Sequence, residues 1–370
     1  MFPDIYKEYS FKDVSGYVKN KSRADVELAL HEASLHRQVS FEDFLALVSP
    51  AAGKYLEEMA VISKNITLER FGNTIQLFMP LYLSNECRSS CTYCGFRYEN
   101  EIPRKTLTRA EIEAEADIIF GKGIRHVLAL TGEDYSKTSY DYIMDAVTLL
   151  RKKFPSVSVE IYPLKTEQYA GLVNAGVEGL ALYQETYDPE KYRIFHTRGM
   201  KKNLEYRLEG PDRGGIAGFR RIGLGVLLGL SDPYGELFFL GLHAGHILKN
   251  YWKTLVQLSF PRIRPTASGF QDIVPVSDRE FVRFMLAFRL YIHDAGLVLS
   301  TRETAGFRDN MVGLGITSMS VESRTDPGGY SGSNELEQFA ISDERTVAEL
   351  TAMLKSRGFD PVKKDFDRVL

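Results

Sequence analysis

An α/β fold is predicted for this chain: a (β/α)8 TIM-type barrel with a helical N-terminal extension and a C-terminal helix. Two observations predict it. From residue 75 onward, short apolar or β-branched runs alternate with longer helical patterns, as βα units of a parallel sheet require. Eight such runs fit into roughly 250 residues, the usual size of this barrel.

Residues 1–70 read as a helical extension and 71–370 as the barrel with its C-terminal segment. In the extension, 22–36 carries helix formers and few strand formers, 40–47 begins like a capped helix, and 50–70 continues as amphipathic helix. Strands are expected at 75–83, 126–131, 157–162, 179–185, 222–230, 257–263, 297–302 and 316–322. Helices at 109–121, 140–153, 167–175, 234–252 and 278–295 lie between most of them, and 343–357 closes the barrel. Thr108 with Glu111, and Ser277 with Glu280, form capping-box pairs at two helix starts.

Composition narrows the function classes. The chain has 370 residues, 44% apolar and 26% charged, as ordinary globular proteins do. A formal charge of −3 gives no reason to expect nucleic acid or an anionic membrane as partner. Met1-Phe2-Pro3-Asp4 lacks a basic segment leading into an apolar run, so no signal peptide is expected, and the longest apolar stretch, 222–230, is too short to span a bilayer. Three cysteines cannot build a disulfide framework; their clustering points to a metal in a reducing compartment, the cytoplasm.

All three lie in Cys87-Arg88-Ser89-Ser90-Cys91-Thr92-Tyr93-Cys94. Three thiolates this close can hold three corners of a cubane iron–sulfur cluster and leave the fourth iron open for reaction. Zinc would want a fourth Cys or a His at matching spacing, and the nearest histidines, His36 and His126, are remote in sequence.

Barrel enzymes place their chemistry at the C-terminal ends of the strands. Besides the cysteine loop, that filter nominates Thr131-Gly132-Glu133, Tyr162, Gln184-Glu185-Thr186, Ser231-Asp232, Arg262, Arg264, Ser300-Thr301-Arg302-Glu303, Ser320 and Ser323. Gly223, Gly225 and Gly229 follow GxGxxxG within a strand pattern, so they do not form a dinucleotide loop; they are read as letting a cofactor approach strand 5. His243 and His246, at i,i+3 with no carboxylate motif, are read as packing or solvent-side residues. His196 is a lesser candidate for substrate contact.

The CxxxCxxC spacing, with an aromatic residue before the last Cys, resembles the signature of the radical S-adenosylmethionine (radical SAM) enzymes. The blocks LYLSNECRSSCTYCGF, LTGE, YQETY, RLEGPDR, IGLGVLLGLSD, SFPRIRP, LSTRE and DPGGY followed by ELEQF narrow the resemblance to the 2-iminoacetate synthases, tyrosine lyases of bacterial thiamine biosynthesis. The likeness runs from about residue 75 onward and more loosely through the extension.

The resemblance implies a 4Fe-4S cluster on Cys87, Cys91 and Cys94 whose open iron chelates S-adenosyl-L-methionine. One electron then cleaves the sulfonium to a 5′-deoxyadenosyl radical. It implies that Gly132 and Glu133 meet the methionine amino group, that Arg207 pairs with its carboxylate, that Glu185 bonds the ribose or amino group, and that the Tyr93 backbone meets the adenine. The bland reading of Arg207 is a surface pair with Glu205 or Glu209. The radical would take a hydrogen from L-tyrosine, and Cα–Cβ cleavage would give 2-iminoacetate and p-cresol. Arg302, with Ser300, is expected to hold the substrate carboxylate, the alternative being pairing of Arg302 with Glu303 or Asp309. Ser320 and Ser323 are weaker substrate candidates, and Tyr162, Gln184 and Glu209 are possible neighbours of the phenol. Implied partners are the thiazole synthase that consumes the imine and a flavodoxin or ferredoxin as electron donor. The donor could meet Lys201-Lys202 or Arg220-Arg221, unless these are simply solvated surface. Among rivals, the hydrogenase-maturation tyrosine lyases carry a second cysteine cluster, and this chain has no cysteine after Cys94. Tryptophan lyase, and a non-catalytic iron–sulfur or zinc scaffold, are the other readings.

Overall fold

The structure is a computed structural model that describes residues 1–264, 269–332 and 337–363. Pro265 of SFPRIRP, Glu335-Leu336 of ELEQF and the last seven positions of the 71–370 unit lie outside the described residues.

Five helices precede the first strand: α1 (Phe2–Tyr6), α2 (Phe11–Lys19), α3 (Arg23–Ser34), α4 (Phe41–Val48) and α5 (Leu56–Phe71). The side chains of Ser10, Ser22 and Ser40 cap α2, α3 and α4 by accepting from the N–H of Asp13, Asp25 and Asp43. The chain then alternates through β1 (Thr74–Ser84), α6 (Arg109–Gly121), β2 (His126–Thr131), α7 (Tyr140–Arg151), β3 (Ser156–Glu160), α8 (Thr166–Asn174) and β4 (Gly179–Ala181). Three short helices follow, α9 (Pro189–Phe195), α10 (Leu204–Leu208) and α11 (Gly210–Ala217), before β5 (Arg221–Gly225), α12 (Pro233–Asn250), β6 (Leu255–Ser259), α13 (Asp278–Tyr291) and β7 (Gly296–Leu299). The last elements are α14 (Ala305–Met311), β8 (Ser318–Ser320), α15 (Val347–Ser356) and β9 (Asp360–Val362).

Strands β1 to β8 are parallel and pair in sequence order, and β8 and β2 both flank β1, so the sheet closes into the expected eight-stranded (β/α)8 barrel. Six of the expected strands end sooner than anticipated: β3 stops at Glu160, β4 at Ala181, β5 at Gly225, β6 at Ser259, β7 at Leu299 and β8 at Ser320, with isolated bridges beyond β4 and β5, Glu185 to Val226 and Leu228 to Arg262. Backbone hydrogen bonds continue past both of these strand ends, from the Gln184 N–H to the Gly225 carbonyl at 2.9 Å and from the Leu227 N–H to the Glu185 carbonyl at 2.8 Å.

β9 was not anticipated. It pairs with β1 at Thr74–Gln76, while β2 engages β1 from Met79 onward. The carbonyl of Lys363 accepts from the N–H of Arg125, just before β2, at 2.8 Å. β9 therefore fills the lower end of the β1–β2 seam, where β1 would otherwise present unpaired backbone. Three residues that include a proline give almost no strand signal; the open seam supplies the reason.

The extension packs on the barrel's outer helices. Phe44 of α4 lies 4.7 Å, ring centre to ring centre, from both Phe288 and Tyr291 of α13. The Phe2 ring of α1 stacks on His243 at 3.7 Å, and His243 Nδ1 pairs with the Tyr187 hydroxyl at 2.8 Å. His243 thus has the packing role expected of it, whereas His246 bonds the Asp212 carboxylate, a partner the sequence did not announce.

Asp212 is the hub of this contact. Its buried carboxylate accepts from the Phe2 N–H at 2.8 Å, His246 Nε2 at 2.7 Å and the Tyr251 hydroxyl at 2.7 Å. Burial pushes its pKa up, but the bonds from His246, Phe2 and Tyr251 outweigh burial and hold it at about 2. A depressed carboxylate pKa contributes stability that is present above the ordinary value near 3.8 and is lost as pH falls toward about 2. Asp212→Ala is expected to lower the unfolding free energy by about 3 kcal/mol. Thermal melts between pH 2 and 7 check this: the variant should melt lower at neutral pH and converge with the parent in acid. An unchanged melting point at pH 7 would contradict it.

Candidate active site

The segment after β1 carries the three cysteines and is locked from within. Asn85 donates to the Pro103 carbonyl at 2.9 Å and accepts from the Lys105 N–H at 2.6 Å. The Arg104 guanidinium donates to the carbonyls of Asn85, Phe96, Arg97 and Asn100 at 2.7–3.2 Å. Gly132, at the end of β2, brings the neighbouring backbone into contact with this segment. A Cβ there would stand 2.2 Å from the Glu86 carbonyl, so no other residue fits without displacing the loop.

Cys87, Cys91 and Cys94 line one lobe of the cavity at the barrel mouth. Burial, reinforced by Glu133, raises the Cys87 thiol to about 11, and burial raises Cys91 further. Such thiols keep their protons at neutral pH until a metal displaces them. Among the described residues no three His, Cys, Asp or Glu side chains converge on one point as a single ion would demand. A cubane asks for something different, since each thiolate binds its own iron. The donor set of thiols alone, opening to one lobe, fits a cluster.

Glu133 accepts from the Ser89 hydroxyl at 2.8 Å and faces Arg207 at 3.5 Å. Arg207, buried on α10, donates through Nε to the Tyr183 carbonyl at 2.8 Å and reaches Glu185 at 3.6 Å. Its bland alternative fails, because Glu205 pairs with Lys7 and Glu209 with Arg213. Glu185 also takes Lys201 Nζ at 2.8 Å, and its backbone sits at φ 72°, a left-handed conformation rarely adopted by Glu and common at functional sites. Tyr93 is buried beside the cysteines, and its hydroxyl bonds His196 Nε2 at 2.8 Å. Burial lowers His196 to about 3, so the ring is neutral, with Nδ1 on the Tyr192 carbonyl at 2.9 Å. His196 thus supports Tyr93 from behind and does not line the cavity.

A second lobe adjoins the first, sharing Tyr82, Cys94, Glu160, Glu185, Lys201 and Gln338 as walls. Arg302, just after β7, lies in it with its guanidinium 3.3 Å from the centre of the Phe339 ring. Its suggested partners are taken: Glu303 by Arg262 and Arg264, Asp309 by Arg345. Among the described residues Arg302 makes no ion pair. The Ser300 hydroxyl accepts from the Arg302 N–H at 3.4 Å and that of Ser320 from the Thr301 N–H at 3.0 Å, while Ser323 Oγ is buried without a hydrogen-bond partner. All three serines line this lobe.

The structure does not bring every candidate here. Gln184 points away, because Tyr183 and Glu185 on either side face the cavity and side chains of an extended segment alternate. Glu209 is drawn off by Arg213 at 3.1 Å. Tyr162 lines the cysteine lobe, but its hydroxyl donates to the Thr138 carbonyl at 2.5 Å. The strand-5 glycines make room for protein, not for a cofactor: a Cβ at Gly225 would stand 2.0 Å from the Ser259 carbonyl, and one at Gly229 2.7 Å from Ile263. Of the suggested donor-facing cations, Lys201 is half-buried in the cavity wall on Glu185, and Arg221 is buried on β5 against Glu178 and Ser156.

Residues 81–237 match the radical SAM superfamily, and residues 259–360 match the Biotin and Thiamin Synthesis associated domain. The 2-iminoacetate synthase of Salmonella typhimurium LT2 is 40% identical over 368 residues, covering 99% of this chain and 97% of that protein. The 2-iminoacetate synthase of Escherichia coli K12 is 40% identical over 371 residues, covering 100% and 97%. The chain belongs to the 2-iminoacetate synthase family. It is a radical SAM lyase, and membership implies a 4Fe-4S cluster and S-adenosylmethionine. Among solved structures, the FeFe-hydrogenase maturase HydG from Carboxydothermus hydrogenoformans superposes with a TM-score of 0.86 at 29% identity, over 97% of this chain and 83% of that one. Its lower identity fits the hydrogenase-maturation reading less well than the 2-iminoacetate synthase reading.

In this 2-iminoacetate synthase family member, the cavity residues that sequence reasoning missed include Tyr82, Glu160, Tyr183, Lys201 and Gln338. Glu160 was within reach. The third strand was expected to run to 162, which put Tyr162 at its end; it ends at Glu160. Gln338 donates to Cys94 Sγ at 3.6 Å and accepts from the Tyr82 hydroxyl at 2.7 Å, links between distant segments that no local pattern announces.

Proposed function

We propose that this chain cleaves the Cα–Cβ bond of L-tyrosine to give 2-iminoacetate and p-cresol, supplying the C–N unit of the thiamine thiazole. The observation that carries the reading is a half-buried arginine without an ion pair among the described residues, set beside Ser300 in a lobe that adjoins the three thiols. When bound, the cluster and S-adenosylmethionine supply a one-electron cleavage that generates a hydrogen-abstracting radical. Cys87, Cys91 and Cys94 hold the cluster. Gly132, Glu133, Glu185, Arg207 and Tyr93 shape the seat of S-adenosylmethionine. Arg302 and Ser300 fix the substrate carboxylate, with Ser320 and Ser323 beside them; anchoring matters because one hydrogen must be chosen among several.

Residues 1–70 serve as a helical appendage to a single catalytic unit, 71–370. No helix among the described residues is long and apolar enough to cross a membrane. The reading includes a cytoplasmic location, a flavodoxin or ferredoxin as reductant, and a thiazole synthase that takes over the hydrolysable imine. An oxygen-free assay with tyrosine, S-adenosylmethionine and dithionite tests it. p-Cresol and 5′-deoxyadenosine are expected together. Turnover of tryptophan in place of tyrosine would support the rival lyase, and an iron-loaded protein that cleaves neither would support a scaffold.

A further inference from the structure

Three carboxylates face the barrel mouth: Glu133, Glu160 and Glu185. Glu133 is taken by Ser89 and Arg207, and Glu185 by Lys201 and Arg207. Glu160, at the end of β3, has no hydrogen bond or ion pair among the described residues, yet it forms a wall of both lobes. A half-buried carboxyl group in such a place is open to a partner from within the cavity. Glu160 and Arg302 line the same lobe, and each charge shifts the titration of the other.

A zwitterionic amino acid presents an anion and a cation on the same carbon atom. With its carboxylate on Arg302, its ammonium needs an anion nearby. We propose that Glu160 binds the α-amino group of the substrate and accepts its proton. The proposal rests on the reading of L-tyrosine as substrate. The chemistry requires such an acceptor. An ammonium nitrogen carries three hydrogens and the imine nitrogen one, so the substrate must shed a proton as well as a hydrogen atom. In this step one N–H bond breaks heterolytically, the electron pair stays on nitrogen as the amine lone pair, and the proton passes to a Glu160 oxygen.

Burial, with Glu185 adding to it, raises Glu160 to about 7, against the pull of Arg302, Lys201 and Arg207; the hydroxyls of Tyr82 and Tyr183 complete its charged and titratable surroundings. A base is most effective when its pKa lies near the working pH. The p-cresol rate should therefore rise with pH through about 7 as Glu160 loses its own proton.

The experiment compares anaerobic binding of tyrosine and of 3-(4-hydroxyphenyl)propanoate, the same molecule without the amino group, to the full-length, cluster-loaded protein with S-adenosylmethionine present. The parent should prefer tyrosine by roughly tenfold or more, and Glu160→Gln should reduce the preference to within about threefold. The variant should also lose the rise in p-cresol rate near neutrality while keeping 5′-deoxyadenosine formation. A preference unchanged in the variant would overturn the proposal, as would loss of 5′-deoxyadenosine formation with an intact cluster, which would assign Glu160 to the cofactor. If Glu160→Gln does not fold, Glu160→Asp replaces it: a slower p-cresol rate with unchanged 5′-deoxyadenosine is expected, and an unaltered p-cresol rate refutes the role. Binding is scored without turnover. A parent that prefers the amine but makes no p-cresol would sink the lyase reading and leave Glu160 as the amine's partner.

Discussion

Cys91→Ala is expected to yield a folded protein with little iron or sulfide and no 5′-deoxyadenosine formation. Its effect should be the largest of any single substitution, because the loop offers three thiols and no spare. The neighbouring His196 offers no replacement, since its Nε2 is engaged by the Tyr93 hydroxyl and its Nδ1 lies at the Tyr192 carbonyl. Cys91 is also the most enclosed of the three, so removing it leaves a gap on the protein side of the lobe and not at its solvent edge. Two thiolates cannot hold a cubane against loss to solvent and oxygen. Iron and sulfide analysis after anaerobic reconstitution checks the outcome. A full iron complement together with S-adenosylmethionine cleavage in the variant would remove Cys91 from the ligand set, and with it the proposed open iron. The fold should survive, since the loop is held by Asn85 and Arg104, not by its sulfurs.

Arg302→Ala is expected to separate the two halves of the reaction. p-Cresol should fall by roughly 100-fold, the ~3 kcal/mol of one buried charge-assisted contact, while 5′-deoxyadenosine still accumulates without substrate cleavage. The reason is placement. Arg302 lies in the lobe away from Glu133 and Arg207, against Phe339, and pairs with no carboxylate among the described residues. Burial works against its charge, so an incoming anion gains what the protein leaves unpaired. Quantifying both products in one anaerobic time course decides the matter. Parallel loss of both would place Arg302 in the service of the cofactor or of the fold. Arg302→Lys should recover only part of the activity, because an ammonium cannot reproduce the two parallel bonds of a guanidinium.

Local patterns carried the frame a long way. The capping pairs Thr108–Glu111 and Ser277–Glu280 mark the starts of α6 and α13, and both form in the structure. All eight barrel strands lie where apolar runs put them, because a strand buried on both faces writes its burial into consecutive residues. The strand ends were less legible, and the site inherits that weakness. A two-residue overrun on the third strand nominated Tyr162 and passed over Glu160. Gln184 was nominated beside Glu185 because strand parity at the mouth is unknowable until the inward face is fixed. Lys201 reads as surface in a Lys-Lys pair, yet its Nζ is drawn inward by Glu185.

By itself the sequence determined that three thiols share one loop, that this loop follows the first strand of a parallel barrel, and which family's chemistry such a loop serves. Those properties are local: residue type, spacing and periodicity are written along the chain. Only the tertiary structure decided which charges find partners. Glu133 and Glu185 meet Arg207, Glu303 is claimed by Arg262 and Arg264, and Glu160 and Arg302 are left, among the described residues, without an ion pair in one cavity. Pairing depends on where a side chain's head lands after the backbone has closed. Residues tens of positions apart in the chain then compete for the same few ångströms, and no local pattern records the result.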